Sequence, residues 1–280
     1  MTDRLKIGIV TDEEPGAQPA GLRAALWGLG HTWIRLTGSE LGSDAGHNAL
    51  RSCDLVVAHT TDLVTLCLLS GMEGLKVPTI NSSTAIARVH DKIKMLGLLR
   101  AAHIPCVPSY IGTARAMFNG IPQTDYPLAV RLASAPTGGW LGVAADSAEL
   151  LRMRSDNETL IGHKFVAIDG LERHLYVIGE SVWAVQRTIT PNVRKMPFGI
   201  QGKLQVVPVR PAERELALHC GAVFGLELYE VQAVLADEGH QVVDVNAFPD
   251  YAGLPGVSGR LATYVERRAR EEHDLSRRGT

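Results

Sequence analysis

The feature that most constrains the fold is a β-hairpin signature near the C-terminus. Leu226 to Leu235, the turn Asp237-Glu238-Gly239-His240, and Val242-Val243-Asp244-Val245-Asn246-Ala247-Phe248-Pro249 predict two antiparallel strands joined by a tight turn. Side chains two residues apart on a strand leave the same face, so Asp244 and Asn246 project together. A hard cation such as Mg²⁺ is commonly held by one or two carboxylates plus the phosphates of a nucleotide, and an Asp-x-Asn pair on a rigid strand is a platform of that kind. The plainer alternative is that Asp244 hydrogen-bonds a neighbouring loop.

The 280 residues suffice for one large domain or two to three small ones, and the hydrophobic content of 45% with 21% charged residues is that of a globular chain with a core. A formal net charge of -2 gives no broad basic field, so nucleic acid is not an expected partner. Cys53, Cys67, Cys106 and Cys220 are scattered and form no CxxC pair, which argues against a zinc site or a disulfide framework. The N-terminus enters a short apolar strand directly and no apolar run approaches a membrane span, so a cytoplasmic location without membrane partners is expected.

Leu5 to Thr11 predicts a buried strand, Gly21 to Leu29 a helix closed by Gly30, and Trp33 to Leu36 and Leu55 to His59 further strands between polar loops. This alternation predicts an α/β unit with a parallel sheet. Neither GxGxxG nor GxxxxGK[ST] is present, which counts against a dinucleotide fingerprint and a P-loop. A helix over Thr84 to Ala102 follows, with Ser82 or Ser83 as its cap. Strands are expected over Tyr126 to Leu132, Leu141 to Val143, Leu160 to Ile168 and Arg173 to Arg187, the last broken at Gly179-Glu180. Pro197 to Gly202 is loop-like. Pro211 opens a helix that Gly225 closes, and Tyr264 to Asp274 is a charged amphipathic helix followed by a fraying tail. GxSxG and HExxH are absent, and Cys106 has no local base, so no nucleophilic triad or zinc protease site is indicated.

The order of pieces is more specific than any one of them. Asn81-Ser82-Ser83, then Asp91-Lys92, His103-Ile104-Pro105, the strand Pro127 to Leu132 with its Thr137-Gly138-Gly139 turn, and Asp244 to Pro249 resemble the ATP-grasp superfamily. Its glutamate-ligase and glutathione-synthase type is similar over the helix segment, and the inositol trisphosphate 5/6-kinases over the string Asp244 to Gly253. The resemblance implies an N-terminal parallel-sheet α/β unit (1-82) and the two α+β lobes of an ATP-grasp fold, a central one (83-158) and a C-terminal one (159-280).

It also implies roles. Lys92 and Arg131 would reach the phosphates of ATP, Arg131 replacing the lysine found in relatives. Ser134, Thr137, Gly138 and Gly139 would offer hydroxyl and backbone N–H groups to phosphate. Lys164 stands where relatives carry an acidic residue for the ribose or adenine, and it cannot accept a hydrogen bond, so Glu172 or His174 is a candidate to take over that role. Asp244 and Asn246 would hold Mg²⁺. Gln232 stands where the family has its first metal carboxylate. With the turn centred near Glu238, Gln232 falls opposite Asp244 and Glu230 opposite Asn246, so Glu230 is a candidate replacement, as is Asp250. Arg187 would face the transferred phosphoryl group, and Arg194, Lys195 and Lys203 would form a substrate-binding anion rim.

The expected activity is that of an ADP-forming carboxylate-amine ligase acting on small-molecule or peptide substrates, with ATP and Mg²⁺. A small-molecule kinase and a non-catalytic ATP-grasp binding protein are the alternatives. A homo-oligomer is compatible with this family.

Overall fold

The computed structural model describes residues 4–12, 21–135, 139–153, 157–166, 170–188, 205–251 and 254–278. The first part is the expected parallel unit. Strand β1 (Lys6–Thr11) is followed by α1 (Leu22–Gly28), β2 (Thr32–Thr37), α2 (Gly38–Leu41), α3 (Asp44–Arg51), β3 (Leu55–His59), α4 (Leu63–Gly74) and β4 (Thr79–Ile80). The strands form one sheet in the order β2-β1-β3-β4. The segment before β3, read from its polarity as loop, contains α3 because Ser43 accepts a hydrogen bond from Gly46 N at 3.1 Å and caps it.

The single helix expected over Thr84 to Ala102 is two helices, α5 (Ser83–His90) and α6 (Lys92–Ala101). Asp91 is their common boundary, with extended backbone (ψ 100) and a carboxylate that accepts from Ile93 N and Lys94 N. That cap starts a new helix where periodicity alone suggested continuation, and it makes Lys92 the first residue of α6. Ser82 caps α5 as expected, through Ala85 N at 3.2 Å.

Next come β5 (Ser109–Gly112), α7 (Ala114–Gly120), β6 (Leu128–Leu132), β7 (Trp140–Ala144), α8 (Ser147–Arg152) and β8 (Leu160–Lys164). These strands make an antiparallel sheet in the order β5-β8-β6-β7. The strand read as opening the C-terminal lobe, Leu160 to Ile168, ends at Lys164 and pairs with this central sheet instead. The last part holds β9 (Leu171–Ile178), β10 (Ser181–Thr188), β11 (Gln205–Val207), α9 (Pro211–Phe224), β12 (Leu228–Ala236), β13 (Gly239–Ala247) and α10 (Val257–Arg278). Its sheet runs β11-β10-β9-β12-β13 and is antiparallel throughout. Helix α10 starts before Tyr264 and continues through the expected frayed tail to Arg278. Among the described residues no helix is long and apolar enough to cross a membrane.

The five-stranded sheet has two unlike faces. Leu175, Val177, Ala184, Val231 and Val245 pack with Ala217, Cys220 and Phe224 of α9 and with Leu96 and Leu99 of α6. The other face carries the polar residues of the next section. Leu261, Ala262, Val265 and Ala269 of α10 join Leu5, Ile7, Leu22 and Leu26 in one core, so the last helix packs back on the first unit. Buried Asn81 fixes the same junction, donating to Leu228 O at 2.7 Å and accepting from Glu227 N and Leu228 N.

At Gly221, α9 lies tightly against Tyr229 of the sheet. A Cβ there would lie 2.2 Å from Tyr229 Oη, and that hydroxyl donates to Ala217 O at 2.9 Å. In an exposed helix Gly→Ala stabilises; here Gly221→Ala is expected to destabilise by roughly 1–3 kcal/mol through overpacking. Chemical denaturation read by circular dichroism checks the sign.

Candidate functional site

The hairpin register agrees with the turn arithmetic: Glu230 lies opposite Asn246 and Gln232 opposite Asp244. A register shift between Gln232 and Ala233 makes a bulge at this point, a device that re-aims side chains beside functional sites. All four side chains come together, but they are not equivalent.

Asp244 is 7% exposed and is bracketed by two cations. Lys92 Nζ donates to Oδ1 at 2.6 Å, and Arg131 Nη1 to Oδ2 at 3.2 Å. Lys92 Nζ also reaches Val245 O at 3.0 Å and Asn246 Oδ1 at 3.4 Å, so three oxygens of β13 surround one ammonium. The three charged groups belong to β13, the first turn of α6 and β6. The sequence separation of Lys92 and Asp244 gave no local sign of this pairing. Burial pulls the Lys92 pKa below its ordinary value, and the charge and hydrogen bond of Asp244 oppose that shift.

Two cations against one carboxylate leave one positive charge over within the trio. Arg131, 1% exposed, spends Nη2 on Ala135 O at 2.9 Å, while its buried Nε has no acceptor among the described residues. Its guanidinium carbon sits 5.2 Å from the centre of the Trp140 ring, which makes Trp140 a packing partner of the cation. His163 lies beside the group, and burial first, then the charge of Arg131, brings its pKa down to about 4.

A second chain of contacts adjoins the first. Asn246 Nδ2 donates to Glu230 Oε2 at 3.1 Å, and Gln232 Nε2 approaches the same oxygen at 3.4 Å. Glu230 Oε1 is hydrogen-bonded to His174 Nδ1, and His174 Nε2 lies 3.1 Å from Glu172 Oε2, which also accepts from Arg187 Nε. With a carboxylate on each ring nitrogen, both nitrogens donate and the imidazole is a cation. Burial opposes that charge, but the hydrogen bonds the ring donates to Glu172 and Glu230 outweigh it and push the His174 pKa up to about 9. Burial alone would raise the Glu230 pKa; its hydrogen bond and attraction to His174 hold it below the ordinary carboxylate value.

The remaining expected residues fall elsewhere. Lys164 Nζ pairs with Asp125 Oδ1 at 2.7 Å, linking the end of β8 to the segment before β6. Ser134 is exposed, and Gly139 has φ +68 where the turn re-enters β7. Thr137, Gly138, Arg194, Lys195 and Lys203 lie outside the described residues, as does the loop Pro197 to Gly202. Glu172 and His174, weighed as ribose or adenine partners, are instead buried in the Arg187–Glu230 row. Their i, i+2 spacing on β9 was the available signal, because the rule that pairs Asp244 with Asn246 also puts Glu172 and His174 on one sheet face.

Among the described residues no group of three or more His, Cys, Asp or Glu side chains is arranged to hold a metal ion. Asp244 and Asn246 nevertheless fit Mg²⁺ in the mode that needs only one or two protein oxygens and takes the rest from a nucleotide. The surplus positive charge and the unpartnered Arg131 Nε suit the accompanying phosphates.

No protein-family model matches the chain. A relative described as a probable alpha-L-glutamate ligase, from Hahella chejuensis, is 30% identical over 202 residues, covering 68% of this chain and 66% of the relative. The chain thus spans just under two thirds of that protein. Two solved structures share its fold: a RimK-domain ATP-grasp protein from Sphaerobacter thermophilus (TM-score 0.72, 20% identity, 93% of this chain and 99% of that one) and the D-alanine--D-alanine ligase of Bacillus anthracis complexed with ATP (TM-score 0.73, 16% identity, 97% and 99%). The fold is thus that of the ATP-grasp ligases, and the sequence is similar to the alpha-L-glutamate ligases.

Proposed function

We propose that the protein is an ATP-dependent, ADP-forming ligase joining a carboxylate to an amine, with a small molecule or a peptide supplying either group. The observation that carries the reading is Asp244 held between Lys92 and Arg131, with Lys92 Nζ also against Val245 O and Asn246 Oδ1. These are the two charge types a metal nucleotide needs, already neutralising each other. On binding, Lys92 and Arg131 would turn to phosphate oxygens, and Asp244 and Asn246 would hold the cation. Mg²⁺ would supply charge neutralisation on the transferred phosphoryl group.

In the first step a carboxylate oxygen of the substrate attacks the γ-phosphorus and ADP leaves. In the second the amine nitrogen attacks the acyl-phosphate carbon, phosphate leaves and the amine loses a proton. The chain supplies no nucleophile. Lys92 and Arg131 orient the phosphates and offset their charge, and Arg187, on the same row, is the cation for the developing acyl-phosphate. Ser134 and Gly139, with Thr137 and Gly138, would border the phosphates, and Arg194, Lys195 and Lys203 would meet the substrate. Lys164, engaged with Asp125, is left at most a peripheral contact with the nucleotide.

Release of ADP and phosphate, measured with ATP, Mg²⁺ and a panel of amino acids and short peptides, should require both a carboxylate and an amine. ADP with a phosphorylated product and no free phosphate would make the protein a kinase instead. Asp244→Ala should lower the rate roughly a hundredfold or more. In the nucleotide-free protein, Asp244→Asn leaves Lys92 and Arg131 buried without their shared counter-charge, and a loss of roughly 3 kcal/mol of stability is expected from urea unfolding.

The His174 row gives a pH dependence. Facing the imidazole are Glu172 on its own strand, Glu230 on β12, and the Tyr176 ring; Arg187 on β10 backs Glu172. Its folded pKa is raised from 6.5 to about 9, so its stabilisation is complete below pH 6.5 and fades as pH rises through 9. The difference in unfolding midpoint between the wild type and His174→Gln should therefore shrink steadily across that window. A difference independent of pH contradicts a charged His174.

A further inference from the structure

Glu230 does not join the oxygens that face Lys92. Its Oε1 is engaged by His174 and its Oε2 by Asn246 Nδ2 at 3.1 Å, with Gln232 Nε2 at 3.4 Å. An amide has two unlike ends, and an ionised carboxylate only accepts, so Glu230 can hold only the NH₂ end of Asn246. The carbonyl end then points the other way, toward Lys92 Nζ at 3.4 Å. The reversed amide would set its oxygen against Glu230 and its N–H donors against the ammonium, with both contacts repulsive. The direction of the amide is thus fixed from both sides.

A carboxylate only 6% exposed is costly without a counter-charge. His174 provides it, and Glu172 and Arg187 continue the alternation of charge behind it.

We propose that Glu230 is a positioning residue that sets the direction of the Asn246 amide, with His174 as its counter-ion, so that Asn246 presents oxygen and not nitrogen to the cation. This rests on the reading of Asp244 and Asn246 as Mg²⁺ ligands. It replaces the expectation that Glu230 ligates the metal in place of the carboxylate lost at Gln232. Glu230 works one contact further out, and its useful property is an acceptor at the right point rather than its negative charge.

Two variants separate the roles. Glu230→Ala removes the acceptor. Glu230→Gln keeps it, because Gln Oε1 can accept from Asn246 while its Nε2 donates to a neutral His174. Two readouts are taken: Mn²⁺ uptake in the presence of ADP, followed by electron paramagnetic resonance, and the Asn246 side-chain amide signals in ¹⁵N spectra of the metal-free protein, assigned by their loss in Asn246→Ser. Glu230→Ala is expected to weaken Mn²⁺ uptake roughly ten- to a hundredfold and to shift the Asn246 amide signals, and Glu230→Gln to recover both to within about threefold of the wild type. If Glu230→Gln is as weak as Glu230→Ala, the carboxylate itself is the ligand and the proposal is overturned. If the wild type takes up no Mn²⁺ with ADP, the ligase reading fails. The amide spectrum then decides the orientation alone: signals unchanged in Glu230→Ala overturn it, and a shift that Glu230→Gln reverses supports it.

Discussion

Among the described residues, the candidate site is built around Asp244. Its carboxylate is buried, and a buried carboxylate is tolerated only where cations and hydrogen-bond donors surround it. Lys92 and Arg131 meet that need from two separate parts of the chain, the start of α6 and the central antiparallel sheet. One ionic trio therefore joins the helix that leaves the parallel unit, the middle sheet and the C-terminal hairpin. It is net positive and includes an unpartnered guanidinium nitrogen among the described residues.

The five-stranded sheet makes this arrangement affordable by dividing its duties between two faces. One is mostly apolar and is covered by α9 and α6. The other bears Arg187, Glu172, His174, Glu230, Asn246 and Asp244, each paired to a neighbour of opposite or complementary character. Such a row is rigid because moving one member leaves the next unpaired in a low-dielectric setting. Among the described residues, this row offers charge and fixed geometry, the two things that catalysis by positioning uses.

The fold was largely legible from local pattern. Strand β3 and the Pro211 helix appear where alternation, the Pro start and the Gly stop place them, because those signals are local. Two of the departures from that pattern have different causes, one a side chain and one a tertiary choice. Asp91 splits one expected helix into two by capping the second, and Leu160–Lys164 joins the central sheet because pairing partners are a tertiary choice that strand propensity does not encode. At the site, the period-two rule found Asp244 with Asn246, and the turn arithmetic found Glu230 and Gln232. The resemblance supplied Lys92 and Arg131. The partner of Glu230 was not legible: His174 sits on another strand, and only the register between β9 and β12 brings it there.

We propose that Lys92 and Arg131 hold Asp244 only until a metal nucleotide replaces each partner. A crystal structure with Mn²⁺ and a non-hydrolysable ATP analogue, with data collected at the manganese absorption edge, tests it most directly. An anomalous peak at Asp244 and Asn246 Oδ1 is expected, with Lys92 Nζ and Arg131 moved onto phosphate oxygens. Nucleotide bound in the cleft while Lys92 and Arg131 remain on Asp244, with no manganese beside it, would contradict it.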